Sequence, residues 1–180
     1  MRLVDSDSHA ECIKEIVSSA KHYIVFMSPF WCVAKNGYDV DILRDSSGNN
    51  FSLDDLFEDA LSRGVRILLL CKNDQLLLLQ KHFEVFYKKY NRKCSVFSLD
   101  MNWWSETSPI FEFHSKVYMN ESLALVTSRN ISGFKRNTID LGVLISEDEI
   151  IEELKDWMNK LFLEVQPVGY LQRFLNKYIK

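Results

Sequence analysis

The segment Val65-Arg-Ile-Leu-Leu-Leu-Cys71 narrows the possible folds more than any other stretch of this chain. Its apolar run is far short of the ~20 residues a bilayer requires. It also lacks the polar alternation of a half-solvated strand, so it reads as a strand buried on both faces of a helix-covered sheet. The pattern around it agrees. Ala10, Ile13, Ile16, Val17 and Ala20 mark an amphipathic helix, and Tyr23 to Met27 form a strand closed by Ser28-Pro29. Lys35 to Asn50 is a long polar loop with room for a short strand at Tyr38 to Leu43. Ser52 caps a helix carrying Leu53, Leu56, Phe57, Ala60 and Leu61, with Asp54 and Asp55 at its positive end and Arg63-Gly64 at its close. A further helix from about Asp74 to Tyr90 and a strand from Cys94 to Leu99 complete an αβαβαβ order.

The second half changes character. Phe111 to Met119, Leu123 to Ser128 and Thr138 to Ile145 are three strands in succession. A helix with Ile150, Ile151, Leu154, Trp157, Met158, Leu161 and Phe162 on one stripe follows, and then a last amphipathic helix over 168–180. The expected fold class is therefore α/β, with a mixed, mostly parallel sheet flanked by helices on both faces. With 180 residues and no internal repeat, the chain reads as a single domain over 1–180, its core about 10–162.

Twenty-two basic against 25 acidic residues argue against binding a polyanion by bulk charge alone, while leaving room for a local basic groove. Cys12, Cys32, Cys71 and Cys94 form no CxxC pair and read as buried thiols rather than zinc ligands. The start, Met1-Arg-Leu-Val-Asp-Ser-Asp7, turns polar at once, so a cytoplasmic protein without stable membrane association is expected.

Chemistry concentrates in Phe111-Glu-Phe-His114-Ser-Lys116-Val-Tyr-Met119. Alternation along a strand sets Glu112, His114, Lys116 and Tyr118 on the polar face, with His114 and Lys116 side by side on rigid backbone. A three-residue hairpin loop, Asn120-Glu-Ser122, turns His114 toward Ser128 and Lys116 toward Val126, which gathers one polar site; a two-residue loop throws Ser128 onto the far face. Asn130 shares the side of Ser128, and Asp140 falls among Ile139, Leu141, Val143 and Ile145.

His114-x-Lys116, then Ser128-x-Asn130, then Asp140 before Leu-Gly-Val-Leu-Ile, resembles the phospholipase D superfamily, with its His-x-Lys-x(4)-Asp, Gly-Ser-x-Asn and downstream Glu. The strand ending in Ser28-Pro29 and the later Ala60-Leu-Ser-Arg-Gly-Val-Arg66 are similar to the family's lead-in. The chain differs from the pattern at Glu121 (Asp in the family), Thr127 (Gly) and Asp140 (Glu). Glu121 falls at the hairpin tip, suited to a structural pairing, and Thr127 crowds the approach to a phosphate.

The resemblance implies a metal-independent, cofactor-free phosphodiesterase, an endonuclease-like enzyme on DNA or RNA. His114 is then the nucleophile, passing through a phosphohistidine. Lys116 neutralises phosphate charge, Ser128 and Asn130 donate to its oxygens, Arg129 flanks the bound substrate, and Asp140 orients the imidazole. The superfamily uses two His-x-Lys motifs, whereas of His9 in a fraying terminus, His22 at a helix end, His82 on a basic helix and His114, only the last begins one. A homodimer with two His114 residues meeting at the two-fold axis is the economical solution.

Lys81, Lys88, Lys89, Arg92 and Lys93 read as a solvated helix face over core aromatics rather than a nucleic-acid patch, and Lys135 and Arg136 are better placed at the rim. Trp103-Trp104 suits base stacking or plugging of the sheet end equally. Two alternatives stay open: a phospholipid or other phosphodiester hydrolase, and a catalytically inactive nucleic-acid-binding module.

Overall fold

The computed structural model describes residues 1–6, 8–29, 31, 42–44, 46–98, 114–131 and 140–165. In chain order these form β1 (Arg2–Val4), α1 (His9–Ser19), β2 (Tyr23–Met27), β3 (Ile42–Arg44), β4 (Asn50–Ser52), α2 (Leu53–Ser62), β5 (Arg66–Cys71), α3 (Asn73–Lys89), β6 (Cys94–Ser98), β7 (Val117–Asn120), β8 (Ala124–Thr127), β9 (Gly142–Ile145) and α4 (Asp148–Val165).

Local chemistry accounts for the element ends. The Ser52 hydroxyl accepts the Asp54 N–H at 3.1 Å and starts α2 beside two acidic residues, which suit its positive end. Gly64, at φ +93°, takes the left-handed conformation that stops this helix and turns the chain into β5. Before α1, Ser8 and Asp5 bond reciprocally: the Ser8 N–H donates to Asp5 Oδ1 at 2.9 Å, and the Asp5 N–H donates to Ser8 Oγ at 3.1 Å.

The main sheet has the order β1-β9-β8-β7-β2-β5-β6, and β3 and β4 pair separately. β2, β5 and β6 run parallel because helical crossovers join them, α2 before β5 and α3 before β6. β7, β8 and β9 enter antiparallel, and β1 closes that edge against β9. The sheet is thus mixed and helix-covered as expected, but it is not mostly parallel: among the described strands only β2–β5 and β5–β6 pair in parallel, because β7, β8, β9 and β1 pair antiparallel in succession. β5 carries both layers. Ile67, Leu69 and Cys71 face the layer of α1, α2 and α3, while Leu68 and Leu70 face that of α4. In the first layer Phe26 meets Phe57 and Tyr118, with ring centroids 5.3 and 5.0 Å apart.

The hairpin corrects the expected register. Val117 pairs with Val126, Tyr118 with Leu125 and Met119 with Ala124, so the tip is Glu121-Ser122 alone. The reason is the Asn120 side chain. Fully buried, it donates to Ile16 O at 2.7 Å and accepts the N–H groups of Ser122 and Leu123 at 2.8 Å, an Asx-type turn that saves one loop residue. The strands are also shorter than expected: His114 to Lys116 are an irregular lead-in to β7. Tyr118, expected on the polar face, is fully buried in the core.

Cys12, Cys71 and Cys94 are buried free thiols. Among the described residues no helix is long and apolar enough to cross a membrane. The expected helix over 168–180, Trp103-Trp104, Lys135 and Arg136, Cys32 and most of the Tyr38 to Leu43 strand lie outside the described residues.

Candidate active site

The register brings one edge of the sheet to a focus. β2, β5 and β8 end there, β7 and β9 begin there, and α1 starts there because β1 runs antiparallel to β9. The residues just past those strand ends are Ser28, Lys72, Ser128 to Asn130, Lys116 and Asp140, with His114 exposed two positions ahead of Lys116.

Ser128 and Asp140 are joined directly. The Ser128 hydroxyl donates to Asp140 Oδ1 at 3.1 Å and accepts the Leu141 N–H at 3.2 Å. Asp140 is held from behind, its N–H donating to Ser6 Oγ at 3.1 Å. Lys116 is tied to the same region by its carbonyl, which accepts the Thr127 N–H at 3.2 Å. Asn130 lies against the fully buried Ser28, whose hydroxyl is 3.5 Å from Asn130 Oδ1 and accepts the Ile131 N–H at 3.3 Å.

The one-residue register shift places Ser128 opposite Lys116 by strict alternation, so the expected single polar sheet face does not exist. What reunites them is the end of β8: the chain bends at Ser128 and bonds to the lead-in of β9. The site is assembled at strand ends rather than along strands. Thr127 is fixed in place, its hydroxyl accepting the Arg129 N–H at 3.1 Å and donating to Leu141 O at 3.3 Å. Glycine fits the partner position in β9 closely, since a Cβ on Gly142 would meet Thr127 Cβ and Val126 O at 3.0 Å and push them back by a few tenths of an ångström. Arg129 donates from its guanidinium to Ser6 O at 2.9 Å, and its own carbonyl accepts the Tyr118 hydroxyl at 2.9 Å. Glu121 sits at the opposite edge, where its carboxylate accepts the Lys21 N–H at 2.5 Å and pins the α1–β2 turn.

Burial is the main cause that lowers the Lys116 pKa; the Asp140 charge opposes it and the Lys72 charge adds to it. A lysine held so has less hydration to lose when an anion replaces water. His9, expected in a fraying terminus, is instead buried edge-on to Tyr118 at 5.8 Å, and its Nε2 has no hydrogen-bond partner among the described residues. Burial, helped by the Arg129 charge and opposed by Asp140, lowers its pKa from 6.5 to about 3. Between those values the unfolded chain takes up a proton that the folded chain refuses, so stability rises with pH across that window. Below pH ~6 the folding free energy should fall by about 1 kcal/mol per pH unit from this residue. Urea midpoints from pH 4.5 to 7 test it: His9→Leu should flatten the slope, and an unchanged slope refutes the assignment.

On α3, ion pairs cover part of the basic face, while Tyr87 stays exposed. Lys88 pairs with Glu84 at 2.5 Å, Lys89 meets Glu58, His82 meets Asp54 at 2.9 Å, and Phe83 and Phe86 are buried. Among the described residues no group of three or more His, Cys, Asp or Glu is placed to hold a metal ion.

No family model matches the chain, and no curated protein sequence matches it. Solved structures do. TrmBL2, an archaeal chromatin protein whose structure shows a mode of DNA binding, superposes with a TM-score of 0.57 at 15% identity, over 93% of this chain and 55% of that one. Phosphatidylserine synthase of Haemophilus influenzae Rd KW20 gives 0.58 at 14% identity, over 88% of this chain and 35% of the other. Polyphosphate kinase from Porphyromonas gingivalis gives 0.55 at 12%, over 93% and 26%. The two enzymes carry phospholipase D superfamily folds. This fold is phospholipase D-like. The chain spans little more than half of the first of these proteins and about a third or less of the others.

Within the phospholipase D-like fold, three residues at the site carry no local sequence signal for it. Ser28 reads only as the end of a strand, yet it lies 102 residues from the Asn130 it touches. Lys72 reads only as the polar residue after an apolar run. His9 reads as terminal, and only the pairing of β1 with β9 draws it in.

Proposed function

We propose that this chain is a phosphodiesterase acting on nucleic acid, with His114 as nucleophile. The observation that supports it best is the gathering of Lys116, Asn130 and the bonded Ser128–Asp140 pair at one sheet edge beside an exposed His114, in a phospholipase D-like fold. A neutral imidazole nitrogen attacks phosphorus, the P–O bond to the leaving oxygen breaks, and that oxygen takes a proton. The Lys116 ammonium, the Ser128 hydroxyl and the Asn130 amide meet the charge on the phosphoryl oxygens. Asp140 favours the imidazolium form of His114 that builds up. Water then attacks the phosphohistidine and surrenders its proton as the P–N bond breaks.

The acid in the first step and the base in the second is the partner subunit's His114, in a homodimer closed about the site. Leu141, 66% exposed, and Val126, 38% exposed, border the site and suit such a contact. The DNA-binding neighbour supports a nucleic-acid substrate, and the phosphatidylserine synthase neighbour supports a phospholipid as the second reading.

The test is incubation of purified protein with single- and double-stranded DNA, RNA and phospholipid vesicles in EDTA, with sedimentation velocity at micromolar concentration. Cleavage of nucleic acid should persist in EDTA, by a dimer. Strict dependence on Mg²⁺ refutes the mechanism, full activity as a monomer refutes the shared site, and binding with no turnover identifies an inactive module. Turnover of vesicles alone makes the substrate a phospholipid.

A further inference from the structure

Two cationic side chains converge on this edge of the sheet, and only one of them belongs to the motif. Ser28 N–H donates to Leu70 O at 3.1 Å and Lys72 N–H to Pro29 O at 3.5 Å, so the chain beyond β5 stays attached to the chain beyond β2. Met27 pairs with Leu70 on one side and with Val117 on the other. One step further along, Lys116 and the start of the Lys72 segment flank Ser28 from opposite sides. Two inter-strand spacings separate them, roughly 10 Å of backbone, well within the combined reach of two lysine side chains. Lys72 is half-buried, and its charge acts on Lys116 and disfavours the protonated form there. An anion lying across both ammonium groups offsets the repulsion that Lys72 exerts on Lys116.

Lys116 is the lysine of the motif, bonded through its carbonyl to Thr127 and within the field of Asp140, whereas Lys72 approaches from the far side of Ser28, two strands away. We propose that Lys72 holds the phosphate next to the scissile one, so that the site takes a chain of phosphodiesters rather than a single phosphate group. The inference rests on the phosphodiesterase reading for its reacting phosphate, and it adds a residue outside the His-x-Lys and Ser-x-Asn pattern. Its chemistry is charge pairing with a polyanion backbone.

The experiment measures binding of a fluorescent single-stranded DNA oligonucleotide in EDTA across a salt series, for the wild type and Lys72→Gln, alongside turnover of bis(p-nitrophenyl) phosphate, which has one phosphodiester. Lys72→Gln should weaken oligonucleotide binding roughly three- to tenfold at low salt and reduce the slope of log K on log salt by about one. Turnover of the small diester should fall by less than oligonucleotide binding does, because its phosphorus leans on Lys116. An unchanged salt slope overturns the inference, as does an equal loss on both substrates, which places Lys72 at the reacting phosphate or in the fold. Failure of the wild type to bind the oligonucleotide overturns it too. Small-diester turnover with an unchanged slope keeps the phosphodiesterase and removes Lys72; a changed slope with no turnover does the reverse.

Discussion

His114→Ala should lower kcat/KM for nucleic-acid cleavage by about 10⁴-fold or more, the scale expected when a covalent nucleophile is removed from a unit that acts together. The remaining groups can still hold a phosphate, so oligonucleotide binding should change by no more than about threefold. Because His114 is exposed and outside β7, the fold should not register its loss, and the melting temperature should move by no more than about 2 °C. Lys116→Ala makes the contrast. Removing the charge beside Asp140 should weaken binding as well as turnover, since Lys116 meets the phosphate in both the ground state and the transition state. Retention of wild-type turnover by His114→Ala would sink the nucleophile assignment; a parallel fall in melting temperature would make His114 a structural residue instead.

The largest stability effect is expected at Phe26. It is fully buried on β2, in the middle of the seven-stranded sheet, with its ring against Phe57 from α2 and Tyr118 from β7. Phe26→Ala removes a ring from both edge-on contacts and leaves a cavity between a helix and two strands, a loss of about 3–5 kcal/mol. For a chain of this size the melting temperature should fall by about 10 °C or more. Tyr118 also holds the Arg129 carbonyl through its hydroxyl, so part of the damage should reach the site as a rise in KM. Leu3→Ala, at a residue 82% exposed, serves as the control and should shift stability by less than about 0.5 kcal/mol. A Phe26→Ala protein that melts within 2 °C of wild type means the aromatic cluster contributes little to holding the layers together.

The mixed, helix-covered sheet could be read from residue order because periodicity is local. The unbroken apolar run at β5 demanded cover on both faces, and α1, α2 and α3 on one side with α4 on the other supply it. Ser52 and Gly64 marked the ends of α2 by chemistry that acts over a few residues. The residues proposed for the site could be picked out too, since residue type and spacing are kept in one dimension.

Register and convergence were not. Whether the β7–β8 loop has two residues or three depends on Asn120, whose amide is drawn into the turn because its other end is bonded to Ile16 O and Ser19 Oγ on α1. No neighbour in sequence announces a partner that far away. The same holds for His9, pulled from the terminus into the core by the pairing of β1 with β9, and for Ser28 and Lys72, placed beside the motif by strands that meet only in the folded sheet. Sequence by itself determined which elements form and which side chains can do chemistry, because propensity, capping and hydrophobic period act within a few residues. Which of those side chains share a site was decided by the tertiary structure alone, because strand pairing joins residues that are far apart along the chain.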